Sequence, residues 1–118
     1  MRLDPSGVVV ELGGEFDLSK RRAVVELVQR ELAKSPARLA IDLRGVTFID
    51  SSGVHALIET SRLARQSGVK FSIIPGNRPI QRVFEICGLT NHLPFVHDGE
   101  PELERSAHLE PPAAAPRA

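Results

Sequence analysis

The hydrophobic and polar positions along the chain predict strands that alternate with helices. Leu39, Ile41 and Leu43 are separated by less apolar residues, the period of two expected of a strand with one face on a core. The Gly13-Gly14 pair predicts a tight turn or bulge between two short segments of strand-forming residues. The predicted strands are 8–12, 15–17, 39–43, 69–74 and a short last strand near 93–96.

Apolar residues three and four positions apart predict three helices, at about 20–34, 52–67 and 79–87. Gly68 and Gly88 are placed to end the second and third helices in a left-handed conformation. Pro79 suits the first turn of the third helix. Cys87 lies on the apolar face of that helix, so we predict a buried small hydrophobe rather than a reactive thiol.

The segment between the central strand and the second helix is predicted to fold back on the core. Gly45 is expected to turn the chain. Val46, Phe48 and Ile49 are then expected to pack against the apolar interior. Strands followed by helices after an initial pair of strands predict an α/β domain with a mixed β-sheet packed with α-helices.

Three small polar residues, Asp50, Ser51 and Ser52, stand where the strand ends and the second helix begins. Ser and Asp side chains cap the unpaired N–H groups of a first helical turn, so one interpretation is a plain N-cap. The other is an exposed serine hydroxyl whose phosphorylation the fold tolerates, because the positive end of the helix dipole favours a phosphate. The local pattern leaves both open.

Two motifs resemble those of a known family. The run Phe48-Ile49-Asp50-Ser51-Ser52-Gly53 resembles the signature of STAS domains of the anti-anti-sigma factor type. Gly14-Glu15-Phe16-Asp17 resembles the second short motif of that family, at about the expected distance. The order of predicted elements agrees from about Val8 to His97. The resemblance implies a single STAS-like domain, a small α/β sandwich with the serine turn exposed.

The resemblance also implies a function that requires no enzyme activity. In such proteins the unphosphorylated domain binds an anti-sigma factor that is also a serine kinase, and so releases a sigma factor. Phosphorylation of the matching serine, here Ser51, switches this binding off, and a serine phosphatase restores it. The partners implied are therefore an anti-sigma factor with serine kinase activity and a phosphatase, with no cofactor.

The resemblance and the local chemistry together nominate a partner-binding site. Ser51 is the expected phosphorylation site, and Ser52 is the backup site and otherwise the expected helix cap. The other expected contacts with the partner are Asp17, Asp50, Gly53 and His55. Two alternatives stay open, namely that Asp17 only caps the first helix and that His55 is an ordinary surface residue of the second. Many relatives carry Leu-Gly where this chain has Val54-His55, a departure that bears on the identity of the partner.

Composition excludes several other functions. Lys and Arg total 15, as do Asp and Glu, and a formal net charge of zero argues against direct nucleic-acid binding. The sole cysteine allows no intrachain disulfide, which fits a reducing cytoplasm. No apolar run is long enough to span a membrane. Only His55 has a potential co-ligand at helical spacing, Glu59, and no third ligand is evident beside that pair, so no metal site is predicted. No catalytic site is predicted either.

The predicted domain occupies residues 1–98, and residues 99–118 are predicted to form a disordered Pro/Ala-rich tail. Two other functions remain as alternatives. One is a STAS subunit of a larger assembly such as a lipid-transport ATPase complex, and the other is a small serine hydrolase. The hydrolase is disfavoured because Asp50-Ser51-Ser52-Gly53 lacks the glycine two residues before the serine that a nucleophile elbow requires.

Overall fold

A computed structural model describes residues 7–96 and 107–109 of the 118-residue chain. Strands and helices alternate through most of this part. The elements are β1 (Gly7–Phe16), α1 (Leu18–Leu32), β2 (Arg38–Ile49), α2 (Ser51–Gln66), β3 (Lys70–Ile74), α3 (Arg78–Ile86) and β4 (Ala107–Leu109). The predicted α/β class and all three predicted helices are confirmed, the helix bounds to within one or two residues.

The four described strands form one sheet in the order β3-β2-β1-β4. Every described strand pair is parallel, so the prediction of a mixed sheet is wrong for this part of the chain. The mixed sheet was predicted from an initial pair of strands, 8–12 and 15–17, joined at Gly13-Gly14. In the structure these two segments are one continuous strand, β1. Gly14 has a φ of 73° and lies in an irregular stretch of the ladder rather than in a turn.

Two bulges in β2 account for the errors around Gly45. Gly13 pairs with Gly45 and Glu15 pairs with Phe48, so β2 carries an extra residue at each of two register shifts. The chain does not turn at Gly45, where a Cβ atom would lie 3.1 Å from the carbonyl oxygen of Leu12. This glycine permits a close approach of two strands.

The bulges also change the spacing of buried residues along β2. Leu43, Val46 and Ile49 are all buried, at intervals of three rather than two. Phe48 therefore points away from the core and is 49% exposed, contrary to the prediction.

The main core lies between one face of the sheet and the helices. Val10, Leu39 and Ile41 from the strands pack in one cluster with residues of α1, α2 and α3. Val9 and Ala40, which alternate with them, belong to a second small cluster with Ile74 and Val96 on the opposite face. Both faces of the sheet thus contain buried apolar residues, as is usual for parallel strands.

A charged group also lies in the central strand. The Asp42 side chain is 7% exposed and accepts hydrogen bonds from the Arg44 guanidinium, the shortest at 2.8 Å from Nη2 to Oδ2. Its Oδ1 also accepts the backbone N–H of Arg44 at 2.9 Å. Glu11 is the register partner of Asp42 on β1. The Asp42 hydrogen bond, and to a smaller extent the charge of Glu11, raise the pKa of Arg44 above its ordinary value.

The third helix is correctly predicted except on its outer face. Asn77 caps it, since its Oδ1 accepts the Ile80 N–H at 3.2 Å. Ile80 and Phe84 are buried, but Ile86 is 77% exposed and Cys87 is exposed, so the prediction of a buried cysteine is wrong. Ile86 lies two residues after Phe84 and so faces away from the buried stripe, and Cys87 is the C-cap residue beyond the last helical position.

Beyond α3 the chain joins the free edge of β3. Phe95 forms an isolated parallel bridge with Ile73, and its ring meets Phe84 edge-on at 5.1 Å between centroids. The predicted strand near 93–96 is reduced to this bridge. Residues 99–118 were predicted to form a disordered tail, but Ala107–Leu109 within that segment form β4 beside β1. The rest of that tail lies outside the described residues, and the boundary at 98 stays a prediction.

Candidate functional site

Two helices begin side by side at the carboxyl edge of the sheet. Phe16 and Ile49 are register partners at the ends of β1 and β2. The residue after each one, Asp17 and Asp50, is the N-cap of the helix that follows. The ends of the two paired strands therefore place Asp17 next to the serine turn.

Asp50, rather than either serine, caps α2. Its Oδ1 accepts the backbone N–H groups of Ser52 at 2.9 Å and of Gly53 at 3.1 Å. The predicted cap, Ser52, is already the second helical residue, and the alternative in which Ser51 is the cap is also wrong. A carboxylate one position before the serines satisfies the two donors that a serine cap would have served.

The Ser51 side chain does not stabilise the helix start through any hydrogen bond in the part of the chain that the structure describes. It occupies the first helical position and is exposed, and its hydroxyl makes no hydrogen bond with residues 7–96. Ser52 is half-buried. The two adjacent serines thus differ in accessibility, and Ser51 is the more open of them.

Gly53 holds the start of α2 against the end of β1. A Cβ atom at this position would lie 2.6 Å from the carbonyl oxygen of Phe16 and 2.7 Å from Cγ1 of Ile49. Real Cβ atoms do not approach other atoms this closely, so any larger residue at position 53 must move the start of the helix. Gly53 is buried, so its role in the site is to position the serine turn.

In α1 the second helical position, which Ser52 occupies in α2, is held by Ser19, and its side chain is hydrogen-bonded. Ser19 donates its hydroxyl hydrogen to Oδ1 of Asp17 at 2.6 Å, and its backbone N–H donates to the same oxygen at 3.1 Å. The hydroxyl hydrogen bond is the main cause that lowers the pKa of the Asp17 carboxyl below its ordinary value. The Nζ of Lys20 donates to the carbonyl oxygen of Glu15 at 2.8 Å and brings a positive charge close by.

His55 lies one turn into α2 on the face that Ser51 begins. It is exposed, and Ile58, three residues further on, is 38% exposed. Glu59, its potential metal co-ligand, pairs instead with Arg21 at 3.5 Å. In the described residues no three His, Cys, Asp or Glu side chains are grouped as metal ligands.

Two exposed apolar side chains lie near the two helix starts, and their exposure was not predicted from the sequence. Leu18, at the first position of α1, is 68% exposed, and Phe48 lies two residues before Asp50. We call the surface formed by Asp17, Leu18, Phe48, Asp50 and Ser51 the serine edge. Leu18 directly follows a cap residue, and that position faces solvent in a helix start, which is a signal in the sequence that would have identified it.

Comparisons with known proteins establish the family. A model of the STAS domain family matches residues 1–101, and the chain belongs to that family. The chain is 37% identical over 87 residues to the anti-sigma-F factor antagonist RsfB of Mycobacterium tuberculosis, which covers 73% of this chain and 70% of that protein. It is 27% identical over 97 residues to an anti-sigma F factor antagonist of Paenibacillus polymyxa, covering 79% and 80%.

Solved structures share the fold. The anti-sigma factor antagonist SpoIIAA in its unphosphorylated form superposes with a TM-score of 0.61 at 15% identity, covering 82% of this chain and 84% of that chain. The STAS domain of a SulP transporter from Vibrio cholerae gives a TM-score of 0.62 at 21% identity, covering 80% and 77%. None of the helices described in our structure is both long and apolar enough to cross a bilayer.

Proposed function

We propose that this protein is an anti-sigma factor antagonist whose binding to an anti-sigma factor is switched off by phosphorylation of Ser51. The observation that carries the proposal is the exposed, unbonded Ser51 hydroxyl at the first position of a helix capped by Asp50. Relatives named as anti-sigma-F factor antagonists, one at 37% identity, support the antagonist role. The proposed role is regulatory and not enzymatic.

The unphosphorylated serine edge is the proposed docking surface. Leu18 and Phe48 supply apolar area that is exposed in the free protein, and burying such area is the main favourable term in most protein association. His55 and the adjacent Ile58 extend this surface along α2. Asp17 and Asp50 are partner contacts in the proposal, although each also has a cap to maintain.

Phosphorylation of Ser51 would change the surface without unfolding it. The phosphate adds about −1.5 to −2 charges at the positive end of α2, a position at which a helix tolerates anions. In a complex, the same charge would be desolvated beside the Asp50 carboxylate. Like-charge repulsion and lost hydration together are worth several kcal/mol, enough to release the partner.

Three serines lie at this edge, and their surroundings rank them as phosphate acceptors. Ser51 is exposed and unbonded in the described structure, whereas Ser52 is half-buried. Ser19 is exposed, but its hydroxyl is bonded to Asp17 at 2.6 Å. Ser51 is therefore the proposed site and Ser52 the backup, while Ser35, exposed beyond the C-terminal end of α1, serves as a control away from this edge.

The proposal implies two enzymes as partners. An anti-sigma factor with serine kinase activity would both bind the serine edge and modify it, and a serine phosphatase would restore binding. No bound cofactor, no direct contact with nucleic acid and no metal are part of this proposal. It places the protein in the cytoplasm, where sigma factors act.

The test compares Ser51→Ala, Ser51→Asp and Ser35→Asp with the wild type in affinity purification followed by mass spectrometry. We expect a kinase-type anti-sigma factor with wild type, Ser51→Ala and Ser35→Asp, because Ser35 is exposed beyond the C-terminal end of α1 and away from the serine edge. We expect its recovery to fall at least tenfold with Ser51→Asp, which corresponds to a loss of about 1.4 kcal/mol or more. Equal recovery with all four proteins would overturn the switch.

Two further observations would favour the alternative functions. Co-purification of a transport ATPase with all four proteins, without an anti-sigma factor, would favour the subunit of a larger assembly. Rapid labelling of Ser51 or Ser52 by a fluorophosphonate probe would favour a serine hydrolase. None of the contacts of the described residues favours either alternative over the antagonist.

A further inference from the structure

A group of positive side chains lies at the end of the domain opposite the serine edge. Arg38 begins β2, Lys70 begins β3, and Arg65 lies in the last turn of α2. The three line one open cavity of about 550 Å³, and we call them the basic end. Since β2 has 12 residues at about 3.3 Å each, Arg38 lies on the order of 35 Å from Ser51. Arg65 lies on the order of 20 Å from Ser51 along α2, at about 1.5 Å per residue.

The basic end contains a like-charge pair that does not help the fold. Arg38 and Lys70 are register partners on adjacent parallel strands. Like charges directly opposite one another destabilise a sheet. No carboxylate of the described residues lies within ion-pair distance of Arg38, Arg65 or Lys70, although four other cations of the described part are paired in this way.

The cavity is shaped for an elongated ligand. It adjoins a second cavity of about 440 Å³, and the two share Arg65 and Val69. The second cavity continues past Phe71 to Asn91 and His92. Among the residues that the structure describes, no Asp or Glu lines either cavity, so no described carboxylate opposes the positive charge of the groove.

From this geometry we propose that the basic end binds an extended acidic segment of a partner protein. The carboxylates of such a segment would neutralise Arg38 and Lys70, and its chain would follow the groove past Arg65. This proposal concerns a surface separate from the serine edge and does not rest on the function of Ser51.

The surroundings favour carboxylates of a peptide over other anions. The helix end at this site is the C-terminus of α2, so it does not offer the free N–H groups of a helix start that commonly bind a compact phosphate. No glycine-rich phosphate loop is present in the sequence, and the net charge of the chain is zero, which disfavours nucleic acid. Long, exposed Arg65 and Lys70 side chains suit a flexible carboxylate chain in open solvent.

The test is an NMR titration of the isotope-labelled full chain with a decaglutamate peptide, at about 0.02 M and about 0.15 M salt. We expect saturable shifts of the Arg38, Gly68 and Lys70 amides that weaken at the higher salt. We expect Lys70→Glu to weaken peptide binding at least tenfold. The matched control is Arg30→Glu, because Arg30 lies in the last turn of α1 as Arg65 does in α2, and its binding should equal that of the wild type.

A second measurement separates binding from folding. Lys70→Glu replaces a like-charge pair by an opposite-charge pair with Arg38, so its melting temperature should equal or exceed that of the wild type while binding weakens. Absence of peptide-induced shifts, or equal weakening by Arg30→Glu, would overturn the proposal. Saturable binding of ATP at these amides without any response to decaglutamate would also overturn it, in favour of a phosphate ligand.

Discussion

At the scale of single residues, the serine turn is held by the neighbours of Ser51 and not by Ser51 itself. Asp50 accepts two backbone N–H groups of the first turn, and Gly53 lies against Phe16. Ser51 contributes a hydroxyl to solvent and nothing to these contacts. A residue with this freedom is suited to modification, because changing it leaves the supporting contacts in place.

Substitution of Gly53 should disturb the turn strongly. Gly53→Ala places a Cβ atom 2.6 Å from the Phe16 carbonyl oxygen, and relieving that overlap should cost about 1–3 kcal/mol of unfolding free energy. The control is Gly13→Ala, whose Cβ would meet Gly45 at an ordinary 3.7 Å. Urea unfolding measures both. Equal stability of the two variants would show that the start of α2 is not held by this contact.

The Asp17 carboxyl should titrate below the ordinary range of an aspartate. Its pKa is lowered in the folded state, chiefly by the Ser19 hydroxyl, so the associated stability is present above the unfolded-state pKa. That stability is lost as the pH falls through the folded-state pKa. Carbon-detected NMR of the side chain should show the low pKa in the wild type and a rise in Ser19→Ala. An unchanged pKa in Ser19→Ala would contradict the assigned cause.

At the scale of elements, β2 carries a polar contact that stabilises the centre of the sheet. Arg44→Ala removes the guanidinium from the nearly buried Asp42, which keeps only the backbone N–H of residue 44 and stands beside Glu11. We expect a loss of about 1–3 kcal/mol in unfolding free energy. Arg22→Ala, which breaks an exposed pair with Glu26 on α1, should lose less than about 1 kcal/mol in the same assay.

The sequence predicted elements well where the structural role of a residue depends only on its own segment. Gly68 and Gly88 both have a φ of 73° at helix ends, as expected of residues placed after the last apolar position. It was less specific at glycines inside strands. The pair Gly13-Gly14 left a turn and a bulge open, and the turn predicted at Gly45 is wrong, because a close approach of two strands depends on a partner strand and cannot be recognised in one segment.

The candidate site was predicted in part for the same reason. The position of Asp50, Ser51 and Gly53 at a helix start follows from local pattern, and the structure confirms it. The choice of cap was wrong, because an aspartate and a serine compete for the same N–H groups. The exposure of Phe48 was also missed, since it results from a bulge that shifts the alternation of β2 by one residue.

At the scale of the whole molecule, two charged surfaces lie at opposite ends of the longest strand. The serine edge carries Asp17 and Asp50, and the basic end carries Arg38, Arg65 and Lys70. Although the net charge of the chain is zero, the residues named for these two surfaces carry opposite charges. This arrangement would orient a partner of complementary charge before contact, an effect that weakens with salt.

The fold as a whole should be indifferent to charge at position 51. Ser51→Asp puts a negative group at the positive end of α2, worth about 0.3–1 kcal/mol in favour of the folded state. We expect the melting temperature to be unchanged or to rise by a few degrees, since about 1 kcal/mol shifts a domain of this size by roughly 4–8 °C. A fall in melting temperature under calorimetry would mean that the serine supports the fold after all.

The anchoring of Gly53 on Phe16 has a practical consequence for protein engineering. The backbone of the turn is fixed by that contact and by Asp50. A reporter group attached at position 51 would therefore keep a defined position and orientation. Ser51→Cys in a Cys87→Ser background would give a single attachment point for a fluorophore, since Cys87 is the sole native cysteine and is exposed. Emission from that dye would report occupancy of the serine edge in real time.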